Sequence, residues 1–271
     1  MIEQPPSFSV LGAVRVEADS RVVKIAAPRQ RALLALLLLK VNRTVSTSAL
    51  IDCIWGEAPP QHPESALQIV VCRLRHALGP ISSRLVRDAV GYRIELGPDE
   101  LDLTRAQAYG VEARRAMEAG DPQGAAAAFD AALACWSGDP LADLVGFPFY
   151  DGLVRGLQEI QLELVESRNA AYLRCGRHLE LLSDIGLWIE ANPWRERLRA
   201  HQMVALYRSG RQIEALAAYE NLRRLLVTDF GVEPHEDVQR LHGQILRRDP
   251  TLLSERRRSL DGTDLVSAQT T

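Results

Sequence analysis

The chain has 271 residues, 46% hydrophobic and 25% charged, an ordinary globular balance with length for two domains. Its longest apolar run, Ala32–Leu39, has eight residues, far short of the roughly 20 that cross a bilayer. The start, Met1 to Pro6, has neither the basic nor the apolar region of a secretory leader, so a cytoplasmic protein with no membrane partner is expected. Net charge is −3, yet residues 1–97 carry 12 Lys+Arg against 8 Asp+Glu, whereas the remainder carries 20 against 27. A basic front and an acidic rear point to different tasks for the two halves.

In chain order, Phe8–Gly12, Val14–Glu17 and Val22–Ile25 read as three short strands, with a turn at Asp19-Ser20. Pro28 opens a helix running to Lys40, whose leucines predict burial on most sides. After the break at Asn42-Arg43-Thr44, Ser46 or Thr47 caps a helix through Leu50, Ile51 and Ile54 to Trp55, and Gly56 ends it. A stiff segment, Glu57 to Pro63, leads to a helix over Glu64–Leu78, stopped by Gly79-Pro80. Leu85–Arg87 and Tyr92–Leu96 read as a hairpin with its tip at Asp88–Gly91. Strands, three helices and a hairpin form a winged helix-turn-helix with an N-terminal β-sheet.

Gly97-Pro98-Asp99-Glu100 marks a boundary, and the pattern beyond it is helical. Runs are expected at 103–119, 123–135, 151–175, 178–190, 195–209, 212–227 and 235–247, with an irregular aromatic stretch at 141–150. Cys175-Gly176-Arg177-His178 recurs as Ser209-Gly210-Arg211-Gln212, 34 positions later. Gly120-Asp121 opens a looser third copy. This is the tetratricopeptide period, and small residues at Gly176, Gly210, Ala125 and Ala215 are expected to let paired helices approach closely. The fold class is therefore multidomain, α+β then all-α: residues 1–97 a winged-helix domain, 98–248 a tetratricopeptide-like helical repeat domain, and 249–271 a disordered tail.

Advancing about 100° per residue from Leu67 gathers Val70, Val71, Leu74 and Leu78 on one face of the 64–78 helix. Ser65, Gln68, Ile69, Cys72, Arg73 and His76 point the other way, with Arg75 on a flank. An amphipathic helix with arginines outside is common on any soluble protein. Here, however, it sits in winged-helix order, beside Arg84, Arg87 and Arg93 at a hairpin able to reach phosphates or the minor groove. In a major groove, Arg73 could pair with guanine, Gln68 with adenine or a phosphate, and Ile69 with a thymine methyl.

Several blocks resemble the Streptomyces antibiotic regulatory protein family. They are Pro28–Leu38, Leu50–Pro60, Ala66–Gly79 and Val90-Gly91-Tyr92 in front. Behind come Trp136–Leu141, Asn192–Glu196, Leu206–Arg211, Ala215–Tyr219 and Gly231–Pro234. That family joins an OmpR-type winged helix to a bacterial transcriptional activator domain. The resemblance, over roughly residues 8–248, implies binding to double-stranded DNA at direct repeats, side by side as a dimer. It also implies recruitment of RNA polymerase with its principal sigma factor at promoters of secondary-metabolite clusters. On its pattern Ile69 and Arg73 face bases, Ser65, Gln68 and Cys72 lie beside them, and Arg75 is a phosphate or structural contact. The sequence departs from the pattern in two places. Cys72 stands where Ser or Arg is usual, and Arg87 comes five residues before Tyr92 where the usual arginine comes four before, Asp88 taking that place. No receiver, forkhead-associated or nucleotide-binding module fits after residue 248, so no built-in phosphorylation or ATP switch is expected.

No enzyme is expected, since there is no nucleophile elbow, Walker loop, zinc-protease motif or dinucleotide fingerprint. No cofactor or metal is expected either, because the six histidines lack ligand spacing and no cysteine pair forms a CxxC. The cysteines are read as buried or neutral thiols, and Glu159, Glu163 and Glu166 as a solvent-facing set. The rear aromatics, among them Trp136, Phe147, Trp188, Trp194 and Tyr207, are read chiefly as packing residues. Two alternatives stand beside the activator reading: a DNA-binding repressor, and a repeat-domain adaptor that holds proteins rather than DNA.

Overall fold

A computed structural model describes residues 5–256. Of these, residues up to Ala113 together with Ala128–Leu164 form one compact unit, and Arg114–Ala127 with the residues from Val165 onward form the other.

The first unit opens with a three-stranded antiparallel sheet, β1 (Ser7–Ser9), β2 (Arg15–Ala18) and β3 (Arg21–Val22). Phe8 faces Val16 across it, and Asp19 and Ser20 turn the β2–β3 connection with positive φ. β1 stops at Ser9 because the next backbone groups find partners elsewhere. The Val10 and Leu11 N–H groups donate to the Asp102 carboxylate at 2.9–3.0 Å. Ser137 N–H donates to Leu11 O at 2.8 Å, and Leu141 N–H to Gly12 O at 2.7 Å. Buried backbone polar groups require partners, and these four come from chain more than 90 residues away.

Helix α1 (Pro28–Leu38) has every residue from Ala32 to Leu38 buried, as its leucine run predicts. β4 (Val45–Ser46), α2 (Thr47–Trp55) and α3 (Pro63–Leu78) follow. A 3-10 helix, Gly79–Arg84, leads to the hairpin β5 (Leu85–Arg87) and β6 (Gly91–Ile94). β4 joins that hairpin, in the order β4-β6-β5. Phe8, Leu33, Leu34, Leu37, Leu67, Leu74 and Ile94 lie in one core with Leu101, Leu141 and Leu144. Each such buried side chain is worth roughly 1.5–3 kcal/mol.

Helix α4 (Asp102–Glu118), α5 (Pro122–Leu133) and α6 (Tyr150–Arg174) each contain a boundary between the units. The 141–150 stretch holds a short 3-10 helix, Ala142–Leu144. In the second unit α7 (His178–Ala191), α8 (Glu196–Arg208), α9 (Gln212–Phe230) and α10 (Glu236–Leu246) follow. Met203, Tyr207, Ala215, Tyr219, Leu222, Leu241 and Ile245 are part of its core. This is a winged helix with an N-terminal sheet followed by a helical repeat region, the fold class read from the sequence.

The repeat is visible as one turn used three times. Gly120, Gly176 and Gly210 have φ of 78°, 79° and 79°. The next N–H donates back to Ala116, Tyr172 and Leu206 O respectively, at 2.8–2.9 Å, the six-to-one bond of a Schellman cap. A Cβ on any of the three glycines would meet nothing within 4 Å. Gly176 and Gly210 therefore serve left-handed backbone and not the close helix approach expected of them, whereas Ala125 and Ala215 are fully buried.

Three further expectations need correction. Glu159 and Glu163 are exposed, but Glu166 is only 3% exposed, because Arg195 Nε sits 2.8 Å from its carboxylate at the start of α8. Trp194 is exposed, its indole N–H donating to Asp229 and its ring lying edge-on to Phe230. The other rear aromatics named above are buried or half-buried. Residues 250–256, expected in the tail, form a 3-10 helix, and the rest of that tail lies outside the described residues. Among the described residues no helix is long and apolar enough to cross a membrane.

Candidate nucleic-acid interface

Local sequence fixes the helix-turn-helix. Ser46 Oγ accepts the Ala49 N–H at 3.2 Å and caps α2, a bond worth about 1 kcal/mol. Gly56, with φ of 58°, ends α2, and Pro63 occupies the first turn of α3, where a missing N–H costs nothing. Gly79, with φ of 57°, ends α3.

Along α3, Leu67, Val71, Leu74 and Leu78 are buried and Val70 is half-buried. Ser65, Gln68, Ile69, Cys72, Arg73 and His76 are exposed, Ile69 at 52%. The structure thus brings all six onto one open edge. The Arg73 side chain has no hydrogen-bond or ion-pair partner among the described residues, and neither has Arg87, exposed at the end of β5.

The other two arginines of the expected set are engaged. Arg75 is half-buried and its Nη2 donates to Leu85 O at 2.9 Å, tying α3 to β5. Arg93 is held by Glu95 at 2.7 Å and by Asp88 at 3.1 Å. Arg84 is likewise paired with Glu100 at 2.9 Å.

Asp88 organises the wing tip. Its N–H donates to Gly91 O at 2.8 Å, and its carboxylate accepts from Ala89 N–H at 2.7 Å and Thr44 Oγ at 2.8 Å. The Thr44 hydroxyl and the Ala89 amide hold this carboxyl below the usual range, with Arg93 adding to the effect. Gly91 is buried where β4 crosses, and a Cβ there would lie 1.9 Å from Val45 O. Only glycine permits that approach. Sequence reasoning missed both β4 and this role of Gly91, for which the Val90-Gly91-Tyr92 motif was the available signal.

Among the described residues no cluster of His, Cys, Asp or Glu could hold a metal ion. Cys53, Cys135 and Cys175 are half-buried and burial pushes their thiols up, which keeps them neutral. Cys72 is exposed on the open edge of α3.

Two family models match the chain in succession. Residues 23–94 match the family described as transcriptional regulatory protein, C terminal, and residues 101–246 match the bacterial transcriptional activator domain. The solved structure of Mycobacterium tuberculosis EmbR in complex with a low affinity phosphopeptide superposes with a TM-score of 0.88 at 31% identity, over 92% of this chain and 66% of that one. The regulatory protein DnrI of Streptomyces peucetius is 34% identical, over 90% of this chain and 93% of its own length. The chain belongs to the Streptomyces antibiotic regulatory protein family. A further relative, the regulatory protein AfsR of Streptomyces griseus, is 42% identical over 90% of this chain. This family member spans about a quarter of AfsR's length. Both relatives are described as regulatory proteins.

Proposed function

We propose that the chain is a sequence-specific DNA-binding transcriptional activator of a secondary-metabolite biosynthetic cluster. The observation that carries this is the open edge of α3. Ile69 and Arg73 stand exposed and without partners on a helix whose opposite face is packed. Arg73 reads guanine, Ile69 a thymine methyl, and Ser65, Gln68, Cys72 and His76 flank them in the major groove. Arg87 reaches the phosphates or minor groove from the wing. Arg75 and Arg93 act mainly by holding α3 and the wing in place, and meet DNA through its phosphates.

The division of labour follows the sequence boundaries: residues 1–97 bind DNA and residues 98–248 act as the activator domain. By resemblance to the family, two copies sit side by side on direct repeats and recruit RNA polymerase with its principal sigma factor. A gel-shift and footprint on promoter DNA, with and without added salt, tests the reading. The expected result is protection of two repeats in one orientation, with affinity falling steeply as salt rises because condensed counterions are released. Tight capture of proteins with no specific duplex shift refutes it. Reporter output from the same promoter decides the sign, and a fall in output on adding the protein establishes a repressor instead.

A further inference from the structure

A groove of about 890 Å³ lies wholly within the first unit, and its volume falls in the roughly 300–1,000 Å³ range of small-molecule sites. It is bordered by the start of α1, the end of α2, the open edge of α3 and the 145–148 segment. Trp55, Phe147, Ile54 and Val70 give it apolar walls. Arg29 and Arg73 bring two positive charges, and among the described residues no Asp or Glu lines it. The Arg29 guanidinium carbon lies 5.8 Å from the Trp55 ring centroid, so one charge sits over an aromatic face. α1 adds the same sign of field, since it starts without a side-chain cap or an acidic first-turn residue.

We infer that this groove binds a small planar aromatic anion, its ring against Trp55 and Phe147 and its carboxylate on Arg29 and Arg73. Size, aromatic walls and two arginines, with Gln30 as the neutral polar side chain beside them, together select that chemistry. A DNA phosphate is the other anion that could meet Arg29, but the apolar walls offer a phosphate little and a ring much. A ligand seated there covers Ile69 and Arg73. Competition between ligand and operator follows, and this consequence rests on the DNA-binding reading above.

The test uses 2-naphthoate as probe and the neutral 2-naphthamide as control, titrated calorimetrically into the intact chain without DNA. Naphthoate should bind saturably and about tenfold more tightly than naphthamide, because the amide lacks the charge-assisted bonds to arginine. Arg29→Ala should lower naphthoate affinity about tenfold and leave naphthamide binding unchanged. Val145→Glu, at a rim position that is 70% exposed, should do the same by like-charge repulsion. Unchanged melting curves verify that both variants fold. Equal affinity for the two probes, or full naphthoate affinity in both variants, overturns the assignment. So does an Arg29→Ala variant that loses operator affinity but keeps its naphthoate affinity, which assigns the groove to a phosphate.

A second titration separates the two readings. Saturating naphthoate should weaken operator binding, and undiminished binding overturns the competition. A chain that binds naphthoate but shifts no operator supports the groove and refutes the DNA reading. A chain that shifts its operator but binds no naphthoate does the reverse.

Discussion

Arg73 and Arg75 lie two positions apart on α3 and have opposite circumstances. One is solvent-facing without a partner, and the other donates to the Leu85 carbonyl. Arg73→Ala should leave stability within about 0.5 kcal/mol while costing roughly 1–3 kcal/mol of specific DNA binding. Arg75→Ala should lose about 1.5 kcal/mol of stability, since it deletes a charged hydrogen bond across a half-buried contact. Urea melts and operator titrations of both variants check the contrast, and equal stability loss in the two refutes it. The helical period alone sorted these side chains into inward, outward and flank. It could not say that Arg75 and Arg93 have internal partners, because those partners lie on β5 and across the wing turn, where register decides proximity and period does not.

At the scale of elements, helices were legible to within a few residues because caps and breakers are local. Pro28, Ser46, Gly56, Gly79 and the three repeat glycines all act within one turn of their own position. Strand ends were not legible, because their partners are remote. β1 is shorter than its hydrophobic run since Asp102 takes the next two amides, and β4 exists only because Gly91 lets Val45 approach β6. Asp102 is 2% exposed and accepts from Val10, Leu11 and Leu103 N–H. Burial pushes its carboxyl up while those three amides pull the other way. Asp102→Ala strands three amides, and it should cost at least about 3 kcal/mol. Hydrogen exchange at Val10 and Leu11 should quicken markedly in that variant, and unchanged protection there rules the anchor out.

For the molecule as a whole, acid should act first through the second unit. Burial, with the neighbouring Arg197 guanidinium, pushes His201 down to about 4, and its Nδ1 is buried without a partner among the described residues. The folded chain therefore refuses a proton that the unfolded chain accepts near pH 6.5. The stability tied to a neutral His201 is complete above that pH and is lost as pH falls from 6.5 toward 4, on the order of 3 kcal/mol. Urea midpoints at a series of pH values should show a shallower decline in this window for His201→Leu than for the parent, and parallel declines exclude the effect. A last consequence concerns α3. No residue on its outer edge also belongs to the interlocked inner row. On the proposed DNA-binding reading, letters at 65, 68, 69, 72, 73 and 76 should accept rewriting to suit another operator while the scaffold beneath stays as sturdy as before. That reading makes recognition and foldedness separately adjustable within a single sixteen-residue helix.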